Sequence, residues 1–139
     1  MRIALYGVEE ANRVATEIRP TLETLRQERR ELERLQGRID ALTLATAGAA
    51  ATNPDAAELR QAREERERLA TRMRRGIHAI QSRGVLLKDL ERGLVDFYSL
   101  MGDRLVFLCW QLGESEVSHW HTLEGGFAGR QPLHPSERE

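Results

Sequence analysis

The sequence has only one cysteine, no long apolar run and no excess of charge of one sign, and each of these features excludes a class of protein. The single cysteine, Cys109, has no partner for an internal disulfide, so the fold has to be stable without covalent cross-links. The main uncharged stretch, residues 41–53, is rich in alanine and threonine and falls well short of the roughly 20 apolar residues of a membrane-spanning helix. We therefore expect a cytoplasmic protein with no membrane partner.

The charges almost cancel, because 21 basic residues face 22 acidic ones for a formal net charge of -1. Such a chain has no long-range field that would attract a polyanion, and no nucleic-acid partner is expected. Lys88 is the only lysine, so the basic residues are otherwise arginines. Nucleic-acid binding through the arginine-rich helix faces stays an alternative, but glutamates interleaved with those arginines argue against it.

Residues 9–45 show helical periodicity, with a seven-residue spacing that is typical of packed coiled-coil helices. The positions that carry this spacing are Ile18, Leu25, Leu32 and Ile39. Pro20 lies early in the pattern and removes one backbone donor, so we expect a kink or a break into two helices near this residue.

A second periodic run ends at Gly84 and begins after residues 53–55, where Asp55 and Glu58 are expected to cap the helix. The linker is short, so the two helices should be antiparallel neighbours. Folding the chain at this tip places Leu32 opposite Leu69 in an apolar seam that two charged residues, Arg66 and Glu28, interrupt. The sequence therefore predicts a long antiparallel helical hairpin over residues 8–84, with its tip at 46–54.

After Gly84 the period becomes extended and predicts a small antiparallel β-meander of three to four strands. The strand candidates are residues 85–90, 94–100, 105–112 and 117–123. The third run is apolar on both faces, so it should be a central strand covered on one side by the Pro20 end of the hairpin. We predict an α+β fold in a single domain, 1–139, with a β module at 85–133 and a tail at 134–139.

His119 and His121 are two residues apart on a predicted strand, so both project from the same face. No cofactor is predicted from this pair alone, but zinc or iron could bind if Asp96 and Glu114 supplied further ligands. The alternative is a hydrogen-bonded histidine pair without a metal, which is the more common use of such a motif.

Asp96 lies within an apolar strand and needs a partner if it is buried, and Arg130 is the expected one. A structural ion pair is the simplest interpretation, although the pair could also bind a ligand. Cys109 lies in the most apolar strand and should be a buried, inert thiol, with a catalytic dyad between Cys109 and His121 as the alternative.

The chain resembles an uncharacterised prokaryotic family, domain of unknown function 2203. The segments that carry the resemblance are Glu9-Glu10-Ala11-Asn12, Arg19-Pro20, Asp89-Leu90, Gly93-Leu94-Val95-Asp96-Phe97, Leu108-Cys109-Trp110, Gly113-Glu114, Trp120-His121, Gly126-Phe127 and Arg130-Gln131-Pro132-Leu133. The resemblance implies a helical hairpin with a small sheet, and it implies no particular activity. It directs attention to the polar residues within these segments as ligand-binding candidates, namely Asp96, Glu114, His121 and Arg130.

Two functions follow as expectations from these features. The first is a non-enzymatic interaction module that forms a homodimer and so covers apolar surface that one copy leaves exposed. The alternative is a metal- or small-ligand-binding module, with hydrolysis as one version, that uses the face of His119 and His121. The residues alone leave open whether the protein is an enzyme.

Overall fold

The computed structural model describes residues 3–50 and 52–137, which form two helices followed by an antiparallel sheet, as the α+β prediction expected. The elements are α1 (Val8–Ala45), α2 (Pro54–Gln81), β1 (Val85–Asp89), β2 (Leu94–Met101), β3 (Arg104–Gln111), β4 (His119–His121) and β5 (Gln131–Pro132). Neither helix combines the length and apolar character needed to cross a membrane, within the described ranges.

The chain divides into two compact units. The sheet unit comprises residues 1–26 and 76–139, and the hairpin unit comprises residues 27–75. Part of the predicted tail forms a short 3-10 turn, Pro135–Glu137. Residues 138–139 of that tail and residue 51 of the predicted tip lie outside the described residues.

Helix α1 runs without interruption through Pro20, so the expected break into two helices is wrong, whereas the kink stays a prediction. Proline deprives the carbonyl of Thr16 of its helical hydrogen bond. Both Thr16 and Pro20 are exposed, so water can bond that carbonyl, and the helix tolerates the proline without breaking.

Helix α2 is capped by Asn53, and the predicted capping pair of Asp55 and Glu58 is wrong. The side-chain oxygen of Asn53 accepts a hydrogen bond from the backbone N–H of Asp55 at 2.8 Å, and Pro54 occupies the first helical position. Glu58 instead forms an ion pair with Arg38 of α1 at 2.5 Å. Asn53 thus has the capping role that the sequence predicted for the acidic pair.

In the hairpin unit, polar pairs across α1 and α2 match the register predicted from the apolar seam. Arg66 donates to the side chain of Gln36 at 3.1 Å, and Arg72 lies 3.5 Å from Glu28. Arg66 and Glu28 are the charged residues that interrupt the seam, and each has a polar partner on the other helix. Leu69 lies between Arg66 and Arg72 in the sequence and is fully buried, as expected of a seam residue.

The sheet has the order β1-β2-β3-β4-β5, with each strand antiparallel to the next. Strand β3 is central and is buried from Val106 to Trp110, as its apolar sequence predicted. The sheet has one strand more than expected, because β5 pairs Pro132 with His119. Proline is compatible with an edge strand, since its missing donor would face away from the ladder.

Helix residues of the sheet unit cover one face of this sheet, which confirms the expected cover by the Pro20 end of the hairpin. The guanidinium of Arg19 lies 5.7 Å from the ring centre of Trp110. The side chain of Asn12 accepts a hydrogen bond from the backbone N–H of Val117 at 2.7 Å. Successive side chains of a strand point to opposite faces of the sheet. Val106, Leu108 and Trp110 lie on the helix-covered face, so the residues between them lie on the opposite face.

Candidate functional site

The opposite face of the sheet holds a buried cluster of three side chains, which we call the DCH cluster: Asp96, Cys109 and His121. Asp96 on β2 pairs directly with Cys109 on β3, and His121 lies on the next strand, β4. The carboxylate oxygen, the sulfur and the imidazole nitrogen that these residues offer all lie within 4.8 Å of one another. None of the three side chains exposes more than a few per cent of its surface.

The imidazole of His121 is held at both nitrogens. Nδ1 lies 2.7 Å from the carbonyl oxygen of Thr122, and Nε2 lies 3.1 Å from Oδ1 of Asp96. A carbonyl oxygen can only accept, so Nδ1 has to donate to Thr122. The contact between Nε2 and Asp96 then contains one proton that both groups share, and Nε2 points to the centre of the cluster.

The thiol of Cys109 is protonated at neutral pH. Burial raises the pKa of Cys109 to about 12, and the negative charge of Asp96 and a hydrogen bond to Asp96 add to this effect. Arg130 acts in the opposite direction but does not compensate for the burial. A nucleophilic cysteine needs a lowered pKa, so the raised pKa of Cys109 argues against the catalytic dyad with His121.

A cavity of about 250 Å³ lies against the DCH cluster, and both Asp96 and His121 line it. Phe107 forms part of its apolar wall, and the ammonium of Lys88 lies 5.2 Å from the ring centre of Phe107. Phe127 lines the cavity from the segment that follows β4. The buried cluster therefore borders a space that could hold a small molecule.

The other predicted site residues form a second group around Glu114. Its two carboxylate oxygens each lie 2.9 Å from Nη2 of Arg130, and one of them also accepts the backbone N–H of Gln111. Nδ1 of His119 lies 3.8 Å from the same carboxylate and 3.0 Å from the hydroxyl of Ser118. This group connects the end of β3 to the segment before β5.

The expected pair of Asp96 and Arg130 is wrong, because Asp96 pairs with His121 and Arg130 pairs with Glu114. Of the predicted metal ligands, the structure brings Asp96 and His121 together and places His119 and Glu114 in the second group. Arg130 makes one further contact, from Nη2 to the backbone carbonyl of Cys109 at 3.4 Å.

Sequence reasoning missed Cys109 as a neighbour of Asp96, although a signal was present. Strands β2 and β3 are joined by the two-residue turn Gly102-Asp103, where Gly102 has a φ of 66°. Asp96 lies six residues before Gly102, and Cys109 lies six residues after Asp103. A tight turn at Gly102-Asp103 therefore places Asp96 and Cys109 opposite each other.

These observations define an α+β protein in which a small antiparallel sheet bears a buried polar cluster beside a cavity. The chain belongs to the family of uncharacterized conserved proteins DUF2203, whose family model matches residues 4–133. No curated protein and no solved structure matches the chain. The function therefore has to be argued from the site itself.

Proposed function

We propose that the protein is a metal-binding module in which Asp96, Cys109 and His121 hold a divalent transition metal, with zinc preferred. The observation that supports this proposal is the convergence of three different donor atoms within 4.8 Å. Zinc ligands at bond lengths of about 2.0–2.3 Å lie on the order of 3 to 4 Å apart in a tetrahedral site. The cluster needs to close by only about one ångström to match this geometry.

The charges of the donor set also favour zinc. Metal binding replaces two protons, that of the Cys109 thiol, because the thiolate is the form that ligates metals, and the one shared by Nε2 of His121 and Asp96. One thiolate, one carboxylate and a neutral imidazole then balance the two positive charges of the ion, so the buried complex is neutral. Soft sulfur together with nitrogen and oxygen suits zinc better than it suits magnesium or calcium, which prefer oxygen ligands alone.

Three protein ligands leave one position of a tetrahedral ion for water or for another molecule. Asp96 and His121 both line the adjacent cavity, which gives such a molecule a place to enter. A water bound to zinc loses a proton near neutral pH, so hydrolysis is one reaction that this arrangement would support. The proposal concerns binding, and it does not require this reaction.

The test is zinc uptake by protein purified without an affinity tag and stripped with a chelator. Equilibrium dialysis and elemental analysis should find one zinc per chain. His121→Gln should lower the affinity at least ~100-fold, since it removes a ligand. His119→Gln is the matched control, because it changes a histidine of the same strand that contacts Glu114 and Ser118 instead.

Two results would overturn the metal proposal. The first is the absence of stoichiometric uptake together with an unchanged melting temperature in excess zinc, since a ligand at ~100 times its Kd should add about 2.7 kcal/mol to the free energy of unfolding. The second is equal loss of zinc in His119→Gln and His121→Gln. Cys109→Ser, which keeps the size of the side chain, provides a further variant if His121→Gln fails to fold.

We also propose that the chain forms a homodimer through the β1 edge of the sheet unit. Ile3 and Leu5 expose 49% and 50% of their surface, and a groove of about 420 Å³ at this edge is lined by Ile3, Val85 and Leu87. An edge strand leaves backbone donors and acceptors without sheet partners. Light scattering coupled to size exclusion should give twice the chain mass, and a monomer at high concentration would overturn the proposal.

A further inference from the structure

We infer that the cavity beside the DCH cluster binds a small monocarboxylate with an aromatic or branched apolar body, whose acid group meets both the metal and Lys88. This inference rests on the proposed metal site and names the kind of molecule that fills the open position of the ion. It depends on the size of the cavity, on its walls and on the charges at its rim.

The cavity volume limits the size of the ligand. The cavity has a volume of about 250 Å³. Pockets for drug-sized ligands range from about 300 to 1,000 Å³, so this one is smaller. It has room for one ring or a short branched chain with an acid group, and it is too small for a nucleotide.

The walls favour an apolar body. Leu94 and Phe107 are buried and line the cavity together with Leu123 and Phe127. Two guanidinium groups hold the ring of Phe127, because those of Arg92 and Arg130 lie 4.6 and 4.9 Å from its centre. Such contacts stabilise an aromatic face and limit its motion. Phe107 and Phe127 both line the cavity, so a ligand ring would lie near two aromatic side chains.

The rim favours a single negative charge. The ammonium of Lys88, which also lines the cavity, lies 5.2 Å from the ring centre of Phe107. An acid group from the ligand would pair with this ammonium while it coordinates the metal. Glu124 also lines the cavity, and its own negative charge disfavours phosphates and dicarboxylates. A ligand with a single carboxylate can pair with Lys88 and brings only one negative charge close to Glu124.

Benzoate is the probe that matches these requirements, and benzamide and benzylamine have the same ring with a neutral or a positive group. The protein is loaded with cobalt(II), which substitutes for zinc and absorbs visible light according to its ligands. Benzoate should change the cobalt absorption and bind with a stoichiometry of one. Benzamide and benzylamine should leave the spectrum as it was.

Variants separate the contribution of the rim from that of the metal. Lys88→Met should lower benzoate affinity at least about tenfold, because it removes a charged partner, and should leave cobalt loading unchanged. Glu124→Gln should raise the affinity a few-fold, since it removes a like charge from the rim. Arg104→Met is the matched control, because Arg104 stacks on Trp120, on the helix-covered face of the sheet, and its loss should not affect benzoate.

Each outcome decides between the two proposals. Cobalt loading without a response to benzoate, or an equal response to benzamide or benzylamine, overturns the monocarboxylate site and leaves the metal site standing. The absence of cobalt loading overturns the metal site and the ligand site with it. Loss of benzoate binding in Arg104→Met to the same extent as in Lys88→Met would overturn the role of Lys88.

Discussion

His121 and Asp96 form a buried pair across the central strand of the sheet, with Nε2 of the imidazole 3.1 Å from Oδ1 of the carboxylate. Each side chain exposes only 3% of its surface. Asp96 belongs to β2 and His121 to β4, so the pair bridges two strands that do not contact each other through their backbones. A polar pair in this position costs free energy to bury and even more to break.

Asp96→Asn should therefore lower the free energy of unfolding by about 2 to 3 kcal/mol, because His121 and the Cys109 thiol both lose an anionic acceptor. Urea denaturation of metal-free protein measures this change. The matched control is Asp103→Asn, since Asp103 is exposed in the turn between β2 and β3 and asparagine suits the same turn. Equal effects of the two substitutions would contradict the structural role of the pair.

The stability of the metal-free protein should fall as the pH rises above about 8.5. An unfolded thiol ionises near that value, whereas burial raises the pKa of Cys109 to about 12 in the folded chain. Between these values the folded chain retains a proton that the unfolded chain releases. The stabilisation is thus complete below about pH 8.5 and is lost as the pH rises towards about 12, at up to about 1.4 kcal/mol per pH unit.

Urea denaturation at about pH 8 and about pH 10, in the presence of a chelator, tests this dependence against Cys109→Ser, whose hydroxyl does not titrate there. The difference between the two proteins should shrink as the pH rises. The pKa of Tyr6 is raised as well, chiefly by burial, but a tyrosine ionises at higher pH and is common to both proteins. Parallel pH profiles for the two proteins would show that Cys109 does not titrate as described.

Glu114→Gln should loosen the segment that leads from β4 to β5. The substitution removes the charge that binds Arg130 at 2.9 Å and weakens the hydrogen bond to the backbone of Gln111. We expect hydrogen exchange in residues 124–133 to accelerate at least about tenfold, while the exchange of β2 and β3 changes little. Glu23→Gln, at an exposed position of α1, is the control and should leave both rates unchanged.

Gly93→Ala should destabilise the protein by more than Gly102→Ala, although both glycines have a positive φ, of 63° and 66°. A Cβ atom at Gly93 would lie 2.4 Å from the side chain of Leu112, whereas a Cβ at Gly102 would meet no atom within 4 Å. The backbone conformation alone costs about 1 to 2 kcal/mol. The collision should at least double the loss at Gly93, as measured by urea denaturation, and similar losses would contradict the close packing of Leu112.

The sequence predicted the hairpin and the central strand because both depend on local periodicity. Leu69 is buried in the helical seam, and β3 is buried on both faces, as their apolar patterns require. The helix cap was missed because two signals competed at the same place. Asn53 and Asp55 are both good capping residues, and only the position of Pro54 as the first helical residue decides between them.

The candidate site was predicted only in part, because it depends on strand register and on contacts across the sheet. His119 and His121 share a face, yet Glu114 turns back to His119 while Asp96 reaches His121. Arg130 could have paired with either acid, and its distance in sequence from both gives no preference. Strand β5 is only two residues long and contains Pro132, so no periodic pattern could reveal it.

The uninterrupted strand order has a consequence for the timing of folding. Each strand pairs with its successor, so the sheet can grow by local hairpin formation as the chain leaves the ribosome. The start of α1 has to wait, because Asn12 bonds Val117, 105 residues later. We therefore expect Ala11, Val14 and Ile18, which are buried in the folded chain, to stay exposed during synthesis until the last strands emerge.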